Sequence, residues 1–161
     1  MNRDLVSASF GELTAKGHAF GGWNFHFIFT PAYRRRVFEV EGVKELCRKT
    51  ASELARTLGF EIVQEFGPDH WHLFVSGAKN YSAPQLAQRL KGVTSLRVRS
   101  ELGSQIKHLL WGDHLWSHGY FAETIGRVTS ETVAHYIARS QHKHWLAPSE
   151  PTQRTLTNYA T

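Results

Sequence analysis

The sequence predicts an α+β fold in which helices pack against one antiparallel β-sheet. Four short segments are rich in β-branched and aromatic residues, and three longer segments carry apolar residues at helical spacing. The 161 residues suffice for one domain with a sizeable core. We expect this domain at residues 22–145, after an N-terminal extension (residues 1–21) and before a flexible Pro-, Ser- and Thr-containing tail (residues 146–161).

The first half of the domain contains three predicted strands and one helix. Residues 22–31, GWNFHFIFTP, form an aromatic and β-branched run closed by a proline, which predicts a strand, and a basic loop follows. Residues 41–58 carry apolar side chains at helical spacing, and Gly59 supplies a helix end. The next two strands, residues 60–67 and 70–76, are so close in sequence that we expect a hairpin.

The second half adds a helix, a strand and a final helix. Ser82 begins the second predicted helix, which ends near Gly103, and residues 120–125 predict a further strand. Thr129 or Ser130 caps the last helix. The first six elements match the βαββαβ order of ferredoxin-like (RRM-like) folds, with two helices on one face of an antiparallel sheet and a C-terminal helix added. Many unrelated functions use this layout, so candidate site residues must indicate the function.

Composition narrows the class of protein. The single cysteine, Cys47, excludes an internal disulfide and favours a reducing compartment. No apolar run approaches the roughly 18–20 residues that span a bilayer, and no signal peptide is evident, so we expect a cytoplasmic protein without membrane association. The formal charge of +5, with ten histidines, raises the expectation of a nucleic-acid partner.

The segment FGPDHWHLFVSG contains two histidines, His70 and His72, in a predicted strand. Alternate residues of a strand share a face, so the two imidazoles point the same way while Trp71 faces the core with Leu73 and Val75. Two imidazoles at this spacing can bind one metal ion. Ten histidines also produce such a pair by chance, so the spacing leaves metal binding and ordinary packing both open.

A tyrosine on the last predicted helix, Tyr136, is a candidate nucleophile. A tyrosine hydroxyl can attack a phosphodiester and form a phosphotyrosine link. It is a weak nucleophile at neutral pH unless a metal ion or nearby cations activate it. The alternative is a half-buried packing residue, which is the usual role of a helix tyrosine.

Five motifs in one order resemble a known family. They are HFIFTPAYRRRVF, GPDHWHLFV, LKGVTS, LWSHGYFAETIG and YIARSQ, spread over residues 22–141. In this respect the chain resembles the single-tyrosine HUH transposases of small bacterial and archaeal insertion sequences. HUH denotes two histidines around a bulky hydrophobic residue, and His70, Trp71 and His72 match it.

The resemblance implies cleavage and rejoining of single-stranded DNA through a 5′-phosphotyrosine intermediate. Tyr136 would be the nucleophile, and His70, His72 and a glutamine would hold one Mg²⁺ or Mn²⁺ ion without an organic cofactor. The family's glutamine usually lies four residues after the tyrosine, whereas Gln141 is the fifth, about 140° further round an ideal helix. A π-bulge would restore the register; otherwise Ser140, a water or no third ligand takes that position.

The resemblance also implies a homodimer that recognises DNA hairpins at single-stranded element ends. Lys and Arg contact phosphates, and exposed aromatic rings stack on bases. The stacking candidates are Tyr33 and Trp116. The basic candidates are Arg34, Arg35, Arg36, Arg89, Lys91, Arg97 and Arg99.

Two other functions remain open from the sequence. A domesticated or inactive relative would bind hairpins as a regulator without cleaving them, and the position of Gln141 favours this alternative. A ferredoxin-like RNA-binding module would carry aromatic stacking motifs on its central strands, and none is clear.

Overall fold

The computed structural model describes residues 14–16, 19–110 and 112–142. Strands and α-helices follow one another along this part of the chain as β1 (Thr14–Lys16), β2 (Ala19–Gly21), β3 (Phe25–Phe29), α1 (Val43–Leu58), β4 (Glu61–Phe66), β5 (Trp71–Ser76), α2 (Ala83–Ile106), β6 (Phe121–Thr124) and α3 (Ser130–His142).

Four of the strands form one antiparallel sheet in the order β4–β5–β3–β6. The order confirms the predicted ferredoxin-like fold, in which the two central strands are separated in sequence by a helix and an edge strand. The register places Ile28 of β3 opposite His72 of β5, and His26 of β3 opposite both Phe74 and Glu123. Three distant parts of the chain therefore meet on one patch of the sheet.

The two faces of the sheet serve different purposes. Side chains at alternate positions, Phe27, Phe29, Trp71, Leu73 and Val75, are fully buried against α1 and α2 in the main core. The predicted inward orientation of the β5 residues is thus confirmed. On the opposite face, Phe74 packs with Val133 and Tyr136 of α3 in a second, smaller cluster. The site-bearing face is consequently covered by the last helix.

The helix boundaries follow from local chemistry. Helix α1 ends at Gly59, whose φ of 77° is left-handed and favours glycine. Ser82 caps α2 by accepting from the backbone N–H of Gln85, while the Gln85 side chain accepts from the Ser82 backbone N–H. Thr129 Oγ1 accepts from the Thr132 N–H and caps α3. The three helices begin within one or two residues of their predicted starts.

The described part of the predicted N-terminal extension contains structure that the sequence pattern did not indicate. Thr14–Lys16 and Ala19–Gly21 pair as a short antiparallel ribbon. Residues 143–161, including the predicted tail, lie outside the described residues. Among the described helices, none has the length and apolar character needed to cross a membrane.

Candidate active site

The paired histidines lie where β5 begins. His70 directly precedes the strand and His72 is its second residue, with ring centroids 4.9 Å apart and planes at 83°. Two imidazoles that bind one ion through bonds of ~2.1 Å have centroids roughly 5 Å apart. His72 is buried, whereas the side chain of His70 is 18% exposed. The pair therefore combines one rigidly packed ring with one that solvent can reach.

A third histidine, His26, joins this pair, although the sequence reasoning did not select it. His26 Nε2 lies 2.9 Å from His72 Nδ1, and His26 Nδ1 lies 3.1 Å from Glu123 Oε1. The His26 ring also stacks on Phe74, with centroids 4.5 Å apart. Strand alternation in FHFIF already sets His26 apart from the core-facing phenylalanines. Only the register of β3, β5 and β6 brings it to His72 and Glu123.

Burial keeps the two inner histidines neutral at pH 7. Burial, with smaller contributions from His26 and His70, lowers the pKa of His72 from 6.5 to about 3. Burial also lowers the pKa of His26, although the hydrogen bond that His26 donates to Glu123 opposes this shift. A neutral imidazole is the form that can bind a metal ion.

The outer histidine is held by the turn that precedes it. Asp69 Oδ1 lies 2.9 Å from His70 Nδ1, and Asp69 Oδ2 lies 3.4 Å from Arg34 Nε. A carboxylate on Nδ1 favours the tautomer in which Nε2 carries no proton and can bind a metal. Asp69 also connects His70 to the basic loop after β3.

Gly67 leaves the space that the His70 ring occupies. A Cβ built on Gly67 would lie 2.5 Å from His70 Nε2 and 2.8 Å from Nδ1, which is too close for any real contact. Gly67 N–H also donates to the His70 carbonyl at 2.8 Å, closing the turn. A glycine is therefore needed here for space beside the imidazole.

We expect Gly67→Ala to displace the His70 ring and to weaken Mn²⁺ binding by about 10-fold or more, because the added methyl occupies the space of the ring. Isothermal titration with Mn²⁺ measures the change. The matched control is Gly119→Ala, since a Cβ there meets nothing within 4 Å. Equal Mn²⁺ affinity in the two variants would contradict this role of Gly67.

Helix α3 places Tyr136 on the same face of the sheet as the histidines. The half-buried Tyr136 ring lies 5.1 Å from the His26 ring and 6.3 Å from Phe74, measured between centroids. The Arg139 guanidinium lies 4.8 Å from the centroid of the Tyr136 ring, and its Nη2 donates to Glu123 Oε1 at 2.7 Å. The tyrosine is thus one ring away from His72, with a cation beside it.

The predicted third ligand, Gln141, lies on α3, which is α-helical throughout Ser130–His142. The π-bulge considered from the sequence is absent from this helix, so Gln141 keeps its position about 140° round from Tyr136 on an ideal helix. The side chains of Ser140 and Gln141 lie outside the described residues. Their role as ligands stays a prediction.

The basic loop after β3 lies beside the histidines. Tyr33 is 71% exposed, and both Tyr33 and Arg34 have left-handed backbones, with φ of 55° and 52°. Such φ values are unfavourable for non-glycine residues by roughly 1–2 kcal/mol each and tend to occur at functional loops. Arg35 is exposed, and Arg36 forms an ion pair with Glu39. The loop presents an aromatic ring and cations next to His70.

The other candidate DNA contacts have intramolecular partners. Arg97 bonds Glu53 at 2.6 Å and Glu101 at 2.8 Å, which ties α1 to α2. Arg99 lies 3.3 Å from Asp113, and the Arg89 guanidinium lies 5.4 Å from the centroid of the Tyr81 ring.

Lys91 and Trp116 have structural roles that the sequence did not suggest. Lys91 Nζ donates to the carbonyls of three successive residues, Ser117, His118 and Gly119, at 2.6–3.2 Å. Burial lowers the pKa of this ammonium. Trp116 is only 6% exposed and donates to Thr94 Oγ1, so the expectation that it stacks on bases is wrong for this structure.

The donor set fits a metal ion in part. His70 and His72 each have Nδ1 engaged with a protein group, which leaves Nε2 as the nitrogen suited to an ion. In the described ranges, no three His, Cys, Asp or Glu side chains form a group that could hold a metal. A further protein ligand would therefore be of another residue type, as Gln141 is, or lie outside those ranges.

Comparison with known proteins extends these observations. Residues 20–140 match a family described as transposase, IS200 like. The ISDra2 transposase TnpA of Deinococcus radiodurans is 32% identical over 122 residues, which cover 73% of this chain and 83% of that protein. The transposase for insertion sequence element IS200 of Salmonella typhimurium is 29% identical over 121 residues, covering 71% and 76% respectively.

One solved structure is similar in fold as well as in sequence. The crystal structure of a candidate transposase from Deinococcus radiodurans has a TM-score of 0.61 and 25% identity. The similarity covers 81% of this chain and 97% of that one.

Proposed function

Because this chain belongs to the IS200-like transposase family, we propose that it cleaves and rejoins single-stranded DNA at hairpin-bearing element ends. The observation that carries the proposal is that Tyr136, His72 and His70 come together through His26. Tyr136 packs on His26, and His26 is bonded to His72 beside His70. A nucleophile and a pair of metal-binding imidazoles are the parts that metal-assisted phosphodiester cleavage requires.

In the proposed reaction, the Tyr136 oxygen attacks a backbone phosphate. An O–P bond forms to the tyrosine while the bond from phosphorus to the 3′ oxygen breaks, which leaves a 5′-phosphotyrosine and a free 3′ hydroxyl. In the rejoining step a 3′ hydroxyl attacks the phosphotyrosine and releases the phenol. Each step exchanges one phosphodiester for another, so bond energy is conserved and no external energy source is needed.

His70 and His72 would hold a divalent ion, with Gln141 as the candidate third ligand. When bound, such an ion polarises the scissile phosphate and orients its oxygens. Mg²⁺ prefers oxygen ligands, whereas imidazole nitrogen suits transition-metal ions. We therefore expect Mn²⁺ to bind more tightly than Mg²⁺. The Arg139 guanidinium beside the phenol ring would favour the developing negative charge during attack.

The DNA strand would reach the site along the loop after β3. Tyr33 offers an exposed ring for base stacking, and Arg34, Arg35 and Arg36 offer phosphate contacts. Arg89, Arg99 and Arg97 stay candidates for the hairpin. Lys91 is a weaker candidate because its ammonium already binds three carbonyls. A homodimer, in which α3 can complete the partner's site, is part of the proposal.

A labelled single-stranded oligonucleotide with an imperfect hairpin from the element end tests the function. We expect site-specific cleavage with Mn²⁺ and a covalent protein–DNA product on a denaturing gel. Removal of metal with EDTA should abolish both, and a fully double-stranded control should not be cut. The His70→Ala variant should bind the hairpin within about 2-fold of the parent but cleave at least about 100-fold more slowly.

The alternative is a hairpin-binding regulator that has lost the chemistry, which the register of Gln141 favours. It requires tight hairpin binding without any covalent product at saturating Mn²⁺. Absence of both hairpin binding and cleavage would refute the proposal and the alternative together.

A further inference from the structure

When both imidazoles are neutral, the hydrogen bonds that link Glu123, His26 and His72 allow one consistent arrangement of protons. A carboxylate has only acceptor atoms, so His26 Nδ1 must carry the proton that is donated to Glu123 Oε1. In a neutral imidazole the other nitrogen is then an acceptor, and His26 Nε2 faces His72 Nδ1 at 2.9 Å. His72 must therefore donate from Nδ1, and its Nε2 carries no proton.

The arrangement is held by packing as well as by hydrogen bonds. The side chains of His26 and His72 are each only 1% exposed, and their rings are nearly parallel, with planes 10° apart. His26 is also stacked on Phe74 at an interplanar angle of 4°. Water therefore has little access to replace these hydrogen-bond partners. Rotation of either ring out of its plane would break the stacking.

Glu123 is in turn held by the last helix. The same oxygen, Oε1, accepts from His26 Nδ1 and from Arg139 Nη2 at 2.7 Å. The hydrogen bond from the guanidinium fixes the orientation of the carboxylate, so that Oε1 points toward His26 Nδ1. The chain of hydrogen bonds that ends at His72 thus begins at Arg139, which lies about one helical turn after the candidate nucleophile, Tyr136.

We propose that His26 and Glu123 are positioning residues that keep the proton of His72 on Nδ1. The unprotonated Nε2 is then the His72 nitrogen that can bind a metal ion, so this inference rests on the proposed function. Hydrogen-bonded partners behind a metal-binding histidine set its tautomer and ring orientation, and their loss typically reduces metal affinity about 10–100-fold. Here the carboxylate acts through a second imidazole instead of bonding the ligand directly.

The tautomer can be observed before any metal is added. Long-range ¹H–¹⁵N correlation spectra of the ¹⁵N-labelled, metal-free protein separate protonated from unprotonated ring nitrogens, and His72→Gln identifies the His72 signals. We expect the proton of His72 on Nδ1. A proton on Nε2 in the parent protein would overturn the inference directly, whatever the activity.

Variants of His26 then test the cause. In His26→Phe the ring stacking remains but the acceptor is lost, and we expect part of His72 to carry its proton on Nε2 and Mn²⁺ affinity to fall about 10–100-fold. In His26→Gln the amide oxygen can accept from Nδ1 of His72, so tautomer and affinity should return to within about 3-fold of the parent. Glu123→Ala should give a mixed tautomer and an intermediate affinity. The matched control is His108→Gln, because His108 is exposed.

The two proposals fail in different ways. If Mn²⁺ affinity is unchanged in both His70→Ala and His72→Gln, the proposed metal site is wrong while the tautomer result stands. If those variants lose Mn²⁺ but His26→Phe and Glu123→Ala keep the parental tautomer and affinity, the positioning role is wrong while the metal site stands. Circular dichroism of each variant establishes that it is folded. Should His26→Phe not fold, the comparison of His26→Gln with Glu123→Ala decides.

Discussion

Replacing Tyr136 with phenylalanine should reduce DNA cleavage by at least about 1,000-fold, because the change removes the attacking oxygen and no other atom. The ring contacts with His26, Phe74 and Arg139 involve the face and edge of the phenol and are available to phenylalanine. We therefore expect hairpin affinity within about 2-fold of the parent and unfolding free energy within about 1 kcal/mol. A single-turnover gel assay with Mn²⁺ measures the rate and the covalent product.

Tyr120→Phe is the matched control for this experiment. Tyr120 is 40% exposed, lies just before β6 and contacts Phe27 and Phe29 on the other side of the sheet from α3. It should cleave at the parental rate. Mn²⁺-dependent cleavage that persists in Tyr136→Phe, with a covalent product still formed, would assign the nucleophile to another residue.

Replacing Trp71 with alanine should lower the free energy of unfolding by about 3–5 kcal/mol, the usual range for deleting a large buried aromatic side chain. Trp71 is fully buried and lies between two rings. Its centroid is 5.0 Å from Phe66 and 5.6 Å from Trp116, both in stacked orientation. The deletion leaves a cavity between sheet and helices that stacked neighbours cannot easily fill. Equilibrium urea unfolding followed by circular dichroism measures the loss.

Trp71→Phe separates the ring from the indole nitrogen. Trp71 Nε1 is buried and has no hydrogen-bond partner among the described residues, so its removal relieves an unsatisfied donor. We expect Trp71→Phe to lower the unfolding free energy by less than about 2 kcal/mol. Leu96→Ala, at a 70% exposed position on α2, should stay within about 0.5 kcal/mol of the parent. A loss below about 1.5 kcal/mol in Trp71→Ala would contradict the packing role.

The strands and helices were predictable because they depend on the local sequence pattern and on the residues at the ends of each helix. Alternation in WHLFV separated His72 from Trp71, and Ser82 and Gly59 marked helix boundaries that the structure confirms. The short ribbon of β1 and β2 escaped prediction because strands of three residues carry too little pattern to be recognised.

For the candidate site, the sequence indicated the main residues, whereas the structure was needed to show their contacts. His70, His72 and Tyr136 were selected from motif and resemblance, and the structure brings Tyr136 to His72 through His26. The partners of cations were not predictable, since Lys91 is bound by carbonyls 26 to 28 residues away and Arg97 by a carboxylate 44 residues away. Such pairs depend on how helices and loops pack, which no local spacing encodes.

By itself, the sequence determined the strand and helix pattern, the orientation of the β5 side chains and the pair of histidines that a metal ion could use. Only the tertiary structure decided that hydrogen bonds link His72 to His26 and His26 to Glu123, and that Arg139 joins Glu123 to the tyrosine helix. The physical reason is that antiparallel register aligns residues from β3, β5 and β6 across a 4.7–4.9 Å strand spacing, although they are 46 and 97 positions apart in the chain. The hydrogen-bond partners of the site histidines therefore become visible only once strand pairing is known.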